Sequence, residues 1–195
     1  MTAPDPNLVE KQVRAWLESF VVGLNLCPFA RPFVLQDQPC SQGLRIAICK
    51  DSGAEALRRA FLQELDILQS SSEQEVGTTV LVFSAALQSF EQYLDFLADA
   101  QELLAEAGLE GLLQLASFHP EYQFEGEEPG AASHFSNRAP YPIIHILRED
   151  MMERVLRDFP NPENIPKENI KTLEQIGAEE LMIRLQRVKG YSSAM

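Results

Sequence analysis

The stretch TTVLVFS, Thr78 to Ser84, decides the fold. It is apolar on both faces instead of alternating. A central strand covered by helices on each side has that pattern. Upstream of it, LRIAICK (44–50) reads as a second strand rich in β-branched residues. Between the two lies a helix with Leu57, Phe61, Leu65 and Leu68 on one face, and Asp51 or Ser52 is placed to cap it. Downstream, Ser89 can cap a helix whose buried stripe is Phe90, Tyr93, Leu94, Leu97 and Leu104. Gly108 ends that helix, and LLQLASF (112–118) follows as a third strand. Strand, helix, strand, helix, strand predicts parallel strands joined by right-handed crossovers. The expected class is α/β, with three or four mostly parallel strands sandwiched by helices.

Residues 8–24 carry Val13, Trp16, Leu17, Phe20, Val21 and Leu24 at helical spacing, so an amphipathic helix precedes the sheet. Gly23 and Asn25 read as stop signals, and Pro28 cannot continue the helix. Residues 119–142 have no periodicity and hold Pro120, Gly126, Pro129, Gly130, Pro140 and Pro142. A loop that long inside a compact domain is functional or mobile. IIHILRE (143–149) is open between strand and short helix. From Asp150 onward the pattern is helical, and 150–195 reads as an extension covering the sheet or as a homodimerisation element. The whole chain, 1–195, is expected to be one domain.

Charge narrows the partners. The chain has 16 Lys and Arg against 29 Asp and Glu, a net charge of −13. From Arg59 to Arg138 no cation intervenes over 78 residues, which hold 14 Asp or Glu. Nucleic acid and anionic membrane both need clustered cations, so neither is an expected partner. No stretch is apolar enough to span a bilayer. MTAPDPNLVEKQ lacks the basic and apolar regions of a secretory signal, so a cytoplasmic protein is expected. The three cysteines, Cys27, Cys40 and Cys49, are odd in number and lack CxxC spacing. They do not form a disulfide framework or a structural zinc site. Cys49 reads as a buried small hydrophobe, and Cys40 as an incidental loop thiol.

Three blocks carry residue types the periodic core does not explain. They are GLNLCPFA (Gly23–Ala30), SFHPEYQFEG (Ser117–Gly126) and NRAPYPIIHILRE (Asn137–Glu149). In this order and spacing they resemble the uncharacterised bacterial family catalogued as domain of unknown function 1415, over roughly residues 10–180. In that family the third block usually reads Asn-Arg-Ser-Pro-Tyr-Pro, whereas this chain has Ala139 at the serine position. The resemblance implies a bacterial cytosolic setting and carries no assigned activity.

The chemistry is therefore read from the residues. His119 directly follows the third strand, and ligands of parallel α/β sheets bind outside the carboxyl ends of strands. It is a general acid or base by type, or else a histidine satisfied by backbone. Cys27 sits past a helix C-terminus, whose dipole disfavours a thiolate. It is either a structural thiol in a tight Cys-Pro-Phe turn or a nucleophile paired with His119 or His145. Arg138 can clamp a carboxylate or phosphate, or pair with one of the nearby glutamates. Asn25, Tyr122, Asn137, Arg138 and Tyr141 complete the expected substrate-binding set. Arg148 and Glu149 read as surface pairs.

Two of the histidines (His119, His134, His145) plus a Glu or Cys27 could bind zinc or iron, although no HxH or HxxxH spacing supports it. His134 reads as exposed. The P-loop, the dinucleotide glycine fingerprint and GxSxG are absent, and no cofactor is expected. The leading reading is an enzyme acting on a small anionic molecule. Its alternatives are a non-catalytic ligand- or partner-binding module and a His-based metal-dependent enzyme.

Overall fold

The computed structural model describes residues 4–35, 43–157 and 159–190. Cys40 lies outside them. Helix α1 (Pro6–Trp16) starts on Asp5, whose carboxylate accepts from the Asn7 N–H, with Pro6 at its first position. It runs directly into a π-helical segment, Leu17–Val22. The expected single helix over 8–24 is thus two conformations in series. A single turn, α2 (Arg31–Val34), follows. Then come β1 (Leu44–Cys49), α3 (Ala54–Ser70), β2 (Thr78–Phe83), α4 (Phe90–Glu106) and β3 (Leu113–Phe118). A 3-10 turn, Ala132–Ser136, interrupts the long loop before β4 (Ile143–Arg148). After it come α5 (Glu149–Arg157), α6 (Ile165–Ile176) and α7 (Ala178–Val188). Neither Asp51 nor Ser52 caps α3; the cap position is Gly53, with no side-chain bond.

Among the described residues the four strands form one mixed sheet in the order β1-β2-β4-β3. β1 and β2 pair in parallel, while β4 pairs antiparallel with both β2 and β3. The expectation of a mostly parallel sheet is therefore corrected. β1, β2 and β3 do share one direction, as the helical crossovers require. The open segment 143–149 is a strand, and it inserts between β2 and β3 instead of adding at an edge. Parallel neighbours need a crossover, usually helical. The β3–β4 connection has no α-helix, and it makes an antiparallel pair.

Helices cover both faces. α3 and α4 pack Leu57, Phe61, Leu65, Tyr93 and Phe96 onto Leu81, Phe83, Ile144 and Ile146. On the other face, α1, the π segment, α6 and α7 pack Val13, Trp16, Phe20, Leu173 and Leu181 onto Val80, Val82 and Ile143. The C-terminal helices thus form part of a layer over the sheet. Arg148 is not a surface partner. Its guanidinium donates to the carbonyls of Leu68 (2.6 Å), Ser71 (2.8 Å) and Val76, closing the loop after α3 onto the end of β4. Arg45 and Glu64 form a two-point ion pair (2.6 and 3.0 Å) that ties edge strand β1 to α3.

Candidate functional site

On the second face the helical layer does not close completely on the sheet. An apolar cavity of about 200 Å³ remains between Trp16, Val21, Cys27 and Phe29 above and Val80, Ala116, Phe118 and His145 below. Beside it an outer cleft of about 630 Å³ opens between the π segment, the 124–137 loop and α6. Val21, Cys27 and Phe118 belong to both linings, so these three form the shared wall. The rings of Trp16 and Phe118 meet edge-on at 5.3 Å.

The π segment puts Cys27 in that wall. The Gly23 N–H donates to the Glu18 carbonyl at 2.9 Å, the wide turn of a π-helix. A Cβ on Gly23 would stand 2.4 Å from the Ser19 carbonyl oxygen, so only glycine fits. The Val21 carbonyl then accepts from both Leu26 (3.0 Å) and Cys27 (3.4 Å), reversing the chain. Cys-Pro-Phe-Ala closes as a β-turn, with the Ala30 N–H on the Cys27 carbonyl at 3.1 Å and Pro28 at its preferred second position. Burial pushes the Cys27 thiol up, while the Phe29 and Ala30 N–H groups directed at Sγ pull the other way without prevailing.

His145 faces the cavity from β4. Its Nε2 lies 2.6 Å from Thr78 Oγ1, which in turn lies 2.9 Å from the Ile146 carbonyl. The hydroxyl has one hydrogen, and a carbonyl can only accept. Thr78 therefore donates to Ile146 and accepts from His145 Nε2–H. A neutral ring so held presents Nδ1 as a bare lone pair. Among the described residues nothing bonds to that nitrogen. Burial among apolar groups lowers the pKa of His145 to about 4, so the ring is neutral at physiological pH. Cys27 Sγ makes no hydrogen bond to the ring, although both line the same space.

The outer cleft is more polar. Asn137, Ser133, Ser136 and Asn169 line it, with Glu125 and Glu127 on its exposed loop side. Asn137 Nδ2 donates to the Ser117 carbonyl (3.0 Å), and its Oδ1 accepts from Ser136 (2.9 Å). Asn169 anchors α6 to the Leu26 carbonyl at 2.8 Å. Ser133 Oγ is buried and has no protein partner among the described residues.

The other expected site residues lie elsewhere. His119 is fully buried. Its Nδ1 accepts from the Glu121 N–H (3.0 Å), and its Nε2 donates to the Leu87 carbonyl (3.0 Å). Burial lowers its pKa. Arg138 donates Nε–H to the Tyr122 carbonyl and stacks its guanidinium 4.7 Å over Phe135, so its own polar contact is with the loop. Burial lowers its pKa as well. The Tyr122 hydroxyl meets Ser117 at 3.3 Å, and its ring packs on Phe90 and Phe124. Tyr141 donates to Gln12 under the Lys189 ammonium. Asn25 is exposed at φ 53° in the left-handed turn after the π segment. His134, expected at the surface, is fully buried; Nδ1 accepts from the Phe124 N–H and Nε2 donates to the Glu128 carbonyl, pinning the loop. Among the described residues no three His, Cys, Asp or Glu side chains converge as a metal site.

Cys27, His145 and Asn137 are thus the expected residues that share the composite site. The reading missed Trp16, Thr78, Phe29 and Asn169. One signal was present for Thr78: His145 alternates with Ile143 and Leu147 on one strand face, and a polar group on such a face requires a partner.

Fold and site together define a mixed α/β protein with an apolar pocket of small-molecule size. The chain belongs to the family described as protein of unknown function (DUF1415), whose model matches residues 8–182. That span runs from α1 into α7 and includes every residue of the composite site. No curated protein and no solved structure matches the chain.

Proposed function

We propose that this chain is a small-molecule-binding protein whose ligand occupies the inner cavity and extends into the outer cleft. One observation carries the reading. A cavity of about 200 Å³, walled by Trp16, Phe118 and aliphatic side chains, holds one polar ring nitrogen with no protein partner. Dry apolar cavities of about 150 Å³ already accept benzene. The lining favours an uncharged ligand over the small anion expected from the sequence. Arg138 lines neither the inner cavity nor the outer cleft, and Glu125 and Glu127 border the cleft. Trp16 is the chain's single tryptophan, so its fluorescence reports the cavity directly. Titration with toluene should give a saturable change that disappears on Ala116→Leu. A linear, unsaturable response in the parent protein would refute the proposal.

A second reading makes Cys27 a nucleophile, and hence the protein an enzyme. The Phe29 and Ala30 N–H groups aimed at Sγ favour it, since they would steady a thiolate or an oxyanion. Iodoacetamide labelling followed site by site tests this. Labelling of Cys27 at neutral pH faster than that of free cysteine supports catalysis, and slower labelling supports a binding protein. The cytoplasmic setting rests on the missing secretory-signal pattern in MTAPDPNLVEKQ, and the exclusion of polyanionic partners on the acidity and the cation-free run before Arg138. No helix of the described residues is long and apolar enough to cross a membrane. The homodimer reading is supported by Met182 and Ile183, which α7 leaves exposed.

A further inference from the structure

We infer that the ligand carries a neutral hydrogen-bond donor, a hydroxyl or an N–H, on an apolar body about the size of one ring, and presents it to His145 Nδ1. This rests on the binding reading above and names the ligand class.

The chain Ile146 carbonyl, Thr78 hydroxyl, His145 Nε2–H fixes which nitrogen is bare. Thr78 has no second hydrogen to give, so the ring exchanges its tautomer only if the hydroxyl leaves the Ile146 carbonyl, 2.9 Å away, and donates to Nε2 instead. Nδ1 is then a pure acceptor, and the pocket that His145 lines is otherwise walled by Val80, Ala116, Phe118 and Ile143. His145 is half-buried and its Nδ1 has no protein partner among the described residues, so the nitrogen is open to a donor from a ligand. The Cys27 thiol, a weak donor that lines the same pocket, makes no bond to the ring. A carboxylate brings two more acceptors and a charge into a cavity without a cation. Burying it unpaired is strongly unfavourable. The other two histidines offer no such site, because both nitrogens of each ring bond to backbone groups.

Phenol, toluene and benzoate test this, since they place a donor, a methyl group and an anion on the same ring. Affinities are measured on the full chain by Trp16 fluorescence and by calorimetry. Phenol is expected to bind roughly tenfold tighter than toluene, and benzoate not to bind. His145→Phe should abolish the phenol preference while toluene still binds. Thr78→Val, a milder change, should shrink the preference by freeing the tautomer. In nitrogen NMR, phenol should move the His145 Nδ1 resonance and leave those of His119 and His134 in place. Equal binding of phenol and toluene would overturn this inference and leave the binding reading intact. Benzoate binding as tightly as phenol would also overturn it. Failure of all three to bind would overturn both.

Discussion

Ala116→Leu separates stability from binding at one position. Ala116 points from β3 into the inner cavity, and leucine adds three carbons there. At about 0.8 kcal/mol per buried carbon, the gain is about 2.4 kcal/mol. Freezing the leucine rotamers costs about 0.5–1 kcal/mol, leaving a net of about 1.5 kcal/mol. For a chain of 195 residues that raises Tm by about 3–6 °C. The same side chain fills the volume that toluene would occupy, so binding is lost as stability rises. The assay is thermal unfolding by circular dichroism, paired with the Trp16 titration on the same samples. A fall in Tm with toluene binding retained would refute the reasoning. It would mean that Ala116 already meets close-packed neighbours, where overpacking costs about 1–3 kcal/mol.

Other positions yield sharp expectations. Thr79 Oγ1 is fully buried on β2 without a protein partner, so Thr79→Val should stabilise by about 1 kcal/mol and raise the urea midpoint; a lower midpoint would reveal a partner for the hydroxyl. Arg148→Ala strands the Leu68, Ser71 and Val76 carbonyls and should cost about 2–3 kcal/mol in chemical denaturation, with Arg148→Lys recovering little because an ammonium lacks the guanidinium fork. His145 falls from 6.5 to about 4 on folding, so between those values the unfolded chain binds the extra proton. Stability is therefore full above pH 6.5 and declines by about 3 kcal/mol as pH falls to 4, with His119 adding in the same direction. His145→Phe should flatten most of that slope; an unchanged slope would show that the ring is not held neutral.

The helical crossovers and the central position of Thr78–Ser84 were legible because they depend on local periodicity and burial. The insertion of β4 was not. Ile-Ile-His-Ile-Leu reads as a buried run whichever strands flank it, and pairing order is a property of the assembled sheet. The helix-free link 119–142 was the usable signal, since a parallel neighbour needs a crossover. The site divides in the same way. Cys27, His145 and Asn137 stood out by chemical type, and all three line the composite site. His119 and Arg138 stood out equally. Both ring nitrogens of His119 bond to backbone at Leu87 and Glu121, Arg138 Nε bonds to the Tyr122 carbonyl, and nothing in a residue's type announces that. The break from α-helix to π-helix at Leu17 leaves the spacing of Val13, Trp16, Leu17 and Phe20 intact, so periodicity could not reveal it.

The place of β4 in the sheet also bears on how the chain is made. β3 has its only described strand neighbour in β4, the last of the described strands to be synthesised. Until residue 148 has emerged, β1 and β2 can pair, but β3 has no partner and β2 shows a bare edge. Open edges of apolar strands template intermolecular pairing. Nascent chains that end before Ile143 should thus be the species most in need of chaperone cover, and release of residues 143–148 is the step that completes the sheet.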